Sequence, residues 1–277
     1  MTIHQGIHGG IHGDDADGVP VRVYRPDAER HPEPRAALVW AHGGGFQFGD
    51  LDMPESDAVA RRLQENGILV VAVDYRLAGP GTTYPAPSDD VLTAWRWGRA
   101  LCLAAGVPVE RIQLGGASAG GNLAAGAVLR LLADGGDVPA AVFLAYPTLH
   151  AVPPVASPVA QAAVETLPAA QRWSAADVAA MYEAYVGGPL DGVPAPVVPG
   201  TADLEGFPPT FVLTSEVDGL RGSADEFARR LVLAGSTVLS VCEPGTVHGH
   251  LNTPDARFDA SLRRVTRWLL SADELAG

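Results

Sequence analysis

Four stretches of the chain carry groups that could support nucleophilic chemistry. The first is Gly116-Ala117-Ser118-Ala119-Gly120, between a short apolar run, Ile112–Gly115, and an Ala- and Leu-rich stretch reaching Ala133. A serine held in a sharp strand-to-helix turn needs glycine on both sides, because side chains there would collide with neighbouring backbone. The turn lifts the hydroxyl above a sheet and sets it at the positive end of a helix. The pentapeptide arises by chance in a chain with 32 glycines; its strand–turn–helix setting separates it from a plain glycine-rich turn. The second stretch is His42-Gly43-Gly44-Gly45-Phe46, directly after the apolar run Ala36–Ala41. Consecutive glycines let backbone N–H groups face a cavity, as a tetrahedral oxyanion requires. A phosphate loop is the competing reading. It fails because no G-K-[ST] follows and no G-x-G-x-x-G occurs.

The other two stretches must supply a base and an orienting carboxylate. His4, His8, His12 and His31 lie near the N-terminus and His42 shapes the glycine loop, whereas His150 could line a pocket. His248 and His250 follow an apolar run, Thr237–Cys242, and a Glu243-Pro244-Gly245 turn. His248, followed by Gly249, is favoured over His250 by its loop position and chain order. For the acid, Ser215-Glu216-Val217-Asp218-Gly219 closes the run Thr210–Ser215. Asp218 is favoured, with Glu216 an open alternative. Asp74, Asp89 and Asp90 are expected to hold the turn and helix start around Tyr75-Arg76.

These residues need a scaffold, and the apolar pattern describes one. Strand-like runs (Val19–Tyr24, Ala36–Ala41, Ile68–Tyr75, Ile112–Gly115, Ala140–Tyr146, Thr210–Ser215, Thr237–Cys242) alternate with helical stretches at Pro54–Asn66, Asp89–Ala105, after Ser118, around Phe227-Leu231-Ala234 and at Pro254–Leu270. That alternation predicts an α/β fold: a mostly parallel, twisted sheet of about eight strands with helices on both faces. From Thr148 to Leu204 the rhythm breaks. Eight of the 23 prolines fall between 153 and 199, and a single helical pattern spans Ala175–Tyr185. Such an insertion reads as a small internal cap within one domain covering residues 1–277. Before Val19, isoleucines 3, 7 and 11 and histidines 4, 8 and 12 alternate, which predicts an edge hairpin with the imidazoles on one face rather than a metal site.

Composition removes other chemistries. All 19 basic residues are arginine, so Schiff-base, P-loop and kinase mechanisms that use a lysine are excluded. A net charge of −13 argues against a nucleic-acid surface. Two cysteines, the lack of a basic-then-apolar leader and the lack of an 18-residue apolar run predict free thiols, a cytoplasmic location and no membrane span.

The set His42-Gly43-Gly44-Gly45-Phe46, Asp74-Tyr75-Arg76-Leu77-Ala78, Gly116 to Leu123, Glu216 to Arg221 and His248-Gly249 resembles the hormone-sensitive-lipase-like carboxylesterases of the α/β-hydrolase fold. The resemblance implies Ser118 as nucleophile, His248 as base and Asp218 as its partner, with the N–H groups of Gly44, Gly45 and Ala119 as oxyanion hole. It implies cleavage of a small-molecule carboxylic ester through an acyl-serine, without metal or cofactor, and makes a homodimer plausible. Amide or formamide hydrolysis by the same triad and a non-catalytic ligand receptor on the same scaffold are the alternatives. Three features depart from the family pattern. Gly219 and Gly222 stand where a proline and an acidic residue are common. Only 41 residues precede His42, where the family usually carries two cap helices. A shallow, uncovered pocket suited to short-acyl esters is therefore expected, with Phe46, Phe48 and Tyr84 as candidate walls.

Overall fold

The computed structural model describes residues 10–271; isoleucines 3 and 7 and histidines 4 and 8, which the predicted hairpin included, lie outside them. Strands β1 (Gly10–Ala16) and β2 (Val19–Arg25) form an antiparallel hairpin whose turn is held by Asp15 Oδ1 accepting from Gly18 N at 2.7 Å. There follow β3 (Ala36–Ala41), α1 (Pro54–Gln64), β4 (Ile68–Val73), α2 (Ala86–Ala104), β5 (Ile112–Ala117) and α3 (Ala119–Asp134). The second half holds β6 (Val142–Ala145), α4 (Pro158–Glu165), α5 (Ala175–Val186), β7 (Thr210–Val217), α6 (Arg221–Leu233), β8 (Val238–Val247) and α7 (Ala256–Leu270). One eight-stranded sheet runs in the order β1-β2-β4-β3-β5-β6-β7-β8. β2 pairs antiparallel to β4, and every later pairing is parallel.

Side-chain alternation explains why β3 and β4 read as unbroken apolar runs. Ala37, Val39 and Ala41 join Leu69, Val71 and Val73 under a layer containing Val91, Leu123 and Phe227, from α2, α3 and α6. Leu38, Trp40, Val70 and Ala72 point the other way, onto Val59 and Leu63 of α1 and Leu262, Val265 and Trp268 of α7. A strand covered on both faces has no polar side to show, so its sequence loses the period-two signature. Arginine pairs fasten α2 on two sides: Arg76, just after β4, binds both oxygens of Asp90 at 2.7 and 2.8 Å, and Arg130 of α3 reaches Asp89 at 2.7 Å.

Two elements differ from expectation. Segment 148–204 contains a second helix, α4, capped by the Ser157 hydroxyl accepting from Ala160 N at 3.2 Å with Pro158 in its first turn. No residue of α4 is buried and Val159 is 81% exposed, so the helix carries no apolar stripe to reveal it. The Glu243-Pro244-Gly245 stretch is not a turn after the last strand. It lies inside β8, beside a register shift opposite Ser215–Val217, a bulge that bends the strand end. Among the described residues no helix is long and apolar enough to cross a membrane.

Segment 148–204 is fastened to α3. Asn122 Nδ2 donates to Tyr182 Oη at 2.9 Å and to Val197 O at 3.1 Å, and Tyr182 Oη donates to Thr148 O at 3.0 Å. Gly126 makes the closest approach: a Cβ there would lie 2.4 Å from Pro196 O. Glycine to alanine inside a helix ordinarily gains up to about 1 kcal/mol. Here overpacking against a carbonyl costs about 1–3 kcal/mol and wins. Gly126→Ala is therefore expected to lower the denaturant midpoint; an unchanged or raised midpoint would show that the segment is free to withdraw from α3.

Candidate active site

The turn between β5 and α3 carries Ser118 at φ 49°, ψ −114°. This is a sparsely populated conformation for a non-glycine residue, held in place only by its surroundings. Ser118 N donates to Ala145 O at 2.9 Å, and its carbonyl accepts from Asn122 N at 3.1 Å and Thr148 N at 3.3 Å. Both flanking glycines are sterically required. A Cβ on Gly116 would lie 2.2 Å from Gly120 O, and one on Gly120 would lie 2.2 and 2.3 Å from the carbonyls of Ala41 and His42.

His248 and Asp218 converge on the serine. His248 Nε2 lies 2.9 Å from Ser118 Oγ, and His248 Nδ1 lies 2.8 Å from Asp218 Oδ2. An ionised carboxylate only accepts, so Nδ1 carries the proton and Nε2 is left to accept from the serine hydroxyl. Asp218 is buried, and its other oxygen accepts from Leu220 N at 2.8 Å. Burial pushes the His248 pKa down, but the Asp218 charge, the hydrogen bond to it and the charge of Glu55 together hold it above the usual 6.5.

His250 has a different environment. Its ring nitrogens face the hydroxyls of Ser215 at 2.9 Å and Ser261 at 3.0 Å. Burial, reinforced by repulsion from His248, lowers its pKa to about 4. Glu216 turns away as well, accepting from Gly245 N at 2.7 Å within the β8 bulge. His150 is buried against the Ser223 hydroxyl at 2.8 Å and does not line the cavity. The structure thus brings together His248 and Asp218 and leaves His250, Glu216 and His150 in supporting networks.

The glycine loop after β3 curls over Ser118. His42 Nδ1 donates to Gly43 O at 2.7 Å, and its ring stacks on Tyr75 at 4.4 Å. Burial holds its pKa below the usual value, which fits a neutral ring shaping the loop. Tyr75 Oη donates to His42 O at 2.9 Å. Gly44 (φ 115°) and Gly45 (φ 58°) adopt positive φ and line the cavity beside Ser118. The Ala119 N–H opens α3, where the first four N–H groups have no helical acceptor.

These groups surround a cavity of about 810 Å³, with walls from Phe48, Met53, Trp173, Ala180, Met181 and Ala184 among others. Ser118 is 7% exposed. The cavity is open to solvent on one side, as expected, while Trp173 and α5 of segment 148–204 form one wall. Gly219 and Gly222 let that segment come near: a Cβ at each would lie 3.0 Å from Trp173 O and 2.8 Å from Pro154 O respectively. Of the three aromatic walls expected, only Phe48 lines the cavity, at 70% exposure. Phe46, at φ 65°, turns into the core and stacks on Tyr185 at 4.1 Å; Tyr84 meets that same ring edge-on at 5.8 Å. Met53, Trp173, Asn252 and Glu55 were not singled out from sequence, since none belongs to a catalytic motif.

Comparison with known proteins agrees with this geometry. Residues 38–252 match a family model described as the alpha/beta hydrolase fold. Carboxylesterase NlhH of Mycobacterium tuberculosis is 37% identical over 246 residues, covering 86% of this chain and 73% of that protein. Ethyl acetate hydrolase of Pseudomonas putida is 33% identical, covering 84% and 72%. The crystal structure of EstE1, a thermostable carboxylesterase from a metagenomic library, superposes with a TM-score of 0.81 at 27% identity, covering 95% of this chain and 88% of that one. With the glycine loop, the serine turn and the converging histidine and aspartate all in place, the chain belongs to the hormone-sensitive-lipase-like carboxylesterases of the α/β-hydrolase fold.

Proposed function

We propose that this protein hydrolyses small carboxylic esters through an acyl intermediate on Ser118. The observation that carries the reading is the unbroken path Ser118 Oγ–His248–Asp218, with steps of 2.9 and 2.8 Å, at the cavity wall. His248 Nε2 takes the hydroxyl proton as Oγ attacks the ester carbonyl. The carbonyl oxygen becomes an oxyanion received by the N–H groups of Gly44, Gly45 and Ala119, an interaction worth about 10²–10³ in rate per donor. The imidazolium then protonates the leaving alcohol. Water repeats the sequence in reverse order, releasing the acid and restoring Ser118. Asp218 holds the imidazole in the required tautomer and stabilises its cation.

Segment 148–204 acts as the cap, with Trp173 and α5 against the acyl group. Beside its apolar side chains the wall carries two carboxylates, Glu55 and Asp177, and no arginine. Neutral acyl groups suit that lining better than anionic ones, whose burial without a cation is costly. The ethyl acetate hydrolase relative, whose name denotes a short ester, supports the small-substrate reading.

Three measurements check this function. Ser118→Ala is expected to abolish ester turnover, and an organophosphonate is expected to label Ser118 in the wild type; turnover retained by a pure Ser118→Ala preparation would remove the nucleophile assignment. Initial rates on p-nitrophenyl esters from acetate to dodecanoate should peak at short chains, and a maximum at decanoate or beyond would reject that preference. Because the base must be neutral and its pKa is raised, kcat/KM should fall as pH drops through a value above 6.5. An acid limb near pH 4, where His250 titrates, would transfer the base to that residue.

A further inference from the structure

Glu55 is a buried carboxylate that the hydrolytic steps above do not use. It sits in the first turn of α1, is 2% exposed, and contributes to the wall of the cavity that holds Ser118. Among the described residues it has no arginine partner. A buried carboxylate without a cation costs several kcal/mol unless hydrogen bonds satisfy it. Two short ones do. Oε1 accepts from Gly43 N at 2.6 Å, and Oε2 accepts from Tyr146 Oη at 2.7 Å. Its backbone is held too: Glu55 N donates to Asn252 Oδ1 at 3.2 Å, and Glu55 O accepts from Trp40 Nε1 at 2.8 Å.

These contacts give the three glycines of the loop separate reasons to be glycine. Gly44 and Gly45 adopt positive φ, and a Cβ on Gly44 would also lie 2.0 Å from Phe48 O. Gly43 has no such conformation; a Cβ there would lie 2.4 Å from Glu55 Oε1. A bare Gly43 gives the carboxylate room to reach its N–H, and it also keeps clear of Ala117 O and Ser118 Cβ, each 3.2 Å from such a Cβ. We infer that Glu55 is a positioning residue for the oxyanion loop: by capturing the Gly43 N–H it fixes the peptide orientation from which the Gly44 and Gly45 N–H groups face the serine. The inference rests on the Ser118 reading above. The other oxygen carries the same restraint to the far side of the site. Tyr146 lies edge-on to His248, with ring centres 5.2 Å apart, and Asn252 belongs to the loop that follows His248. One side chain therefore spans the oxyanion side and the base side.

Reach and charge can be separated by two conservative variants. Glu55→Gln keeps the reach to Gly43 and loses the charge, whereas Glu55→Asp keeps the charge and loses one methylene of reach. With thermal midpoints near wild type, Glu55→Asp should lower kcat by about 10²-fold, the value of one oxyanion donor, with KM little changed. Glu55→Gln should stay within about tenfold of wild type, by the same measure. Affinity for a trifluoromethyl ketone, whose adduct with Ser118 carries the oxyanion, should fall in parallel with kcat/KM across the pair. Wild-type kcat in Glu55→Asp, a loss confined to KM, or the opposite order of the two variants would overturn the inference while leaving the Ser118 assignment standing. A wild type that neither turns over esters nor reacts with phosphonate would overturn both.

Discussion

The close passage of Gly120 beneath the carbonyls of Ala41 and His42 is the contact on which the rest of the site depends. It brings the start of α3 within van der Waals distance of the end of β3, so the serine turn and the glycine loop are fixed against each other by backbone alone. The parallel pairing of Ala41 with Gly116 sets the register of that meeting. A serine at φ 49° is a conformation that costs about 1–3 kcal/mol and persists only where its neighbours over-determine it. Here three neighbours do so: Ala145 O at the end of β6, Asn122 N in the first turn of α3, and Thr148 N beyond β6. The strain is thus supported by the strongest part of the fold, the central parallel strands buried on both faces.

The two histidines after β8 show how little residue type decides. They are two positions apart, both pack edge-on against Tyr146, at 5.2 and 5.3 Å, and both are largely withdrawn from water. One faces a carboxylate and keeps an affinity for protons above the ordinary. The other faces two hydroxyls, which leave the neutral ring favoured by burial unopposed. The second ring then serves as part of a polar chain through Ser261 to Glu243 and Arg264, bracing the loop that carries the first.

What the sequence disclosed follows from the range of each interaction. Ser118 and the glycine loop are local devices, four or five residues long, and their strand-turn-helix setting was readable from apolar runs alone. The choice of Asp218 over Glu216 depends on the bulge between β7 and β8, a feature of two strands that neither displays by itself. Phe46 stands next to the glycine loop and reads as a pocket wall, but its positive φ reverses the side chain into a stack with Tyr185, 139 positions away. Tyr84 was misread for the same reason, since that same ring holds it away from the cavity. Glu55 belongs to no motif and was not singled out, because its partners are a backbone N–H and a phenol 91 positions distant. Helix α4 escaped notice because it buries nothing, and periodicity reports only what packing demands.

The arginine pairs seen at Asp89 and Asp90 belong to a wider pattern, for all 19 strongly basic side chains of this chain are guanidiniums. An ammonium surface loses its positive partners as pH climbs past about 10, whereas a guanidinium holds its proton beyond about 12. The ion pairs at the ends of α2 and α3 therefore outlast alkaline conditions that would dissolve a lysine-based equivalent. The same composition leaves no side chain with a primary amine, so reagents that acylate or condense with amines find no lysine to modify anywhere on the folded surface.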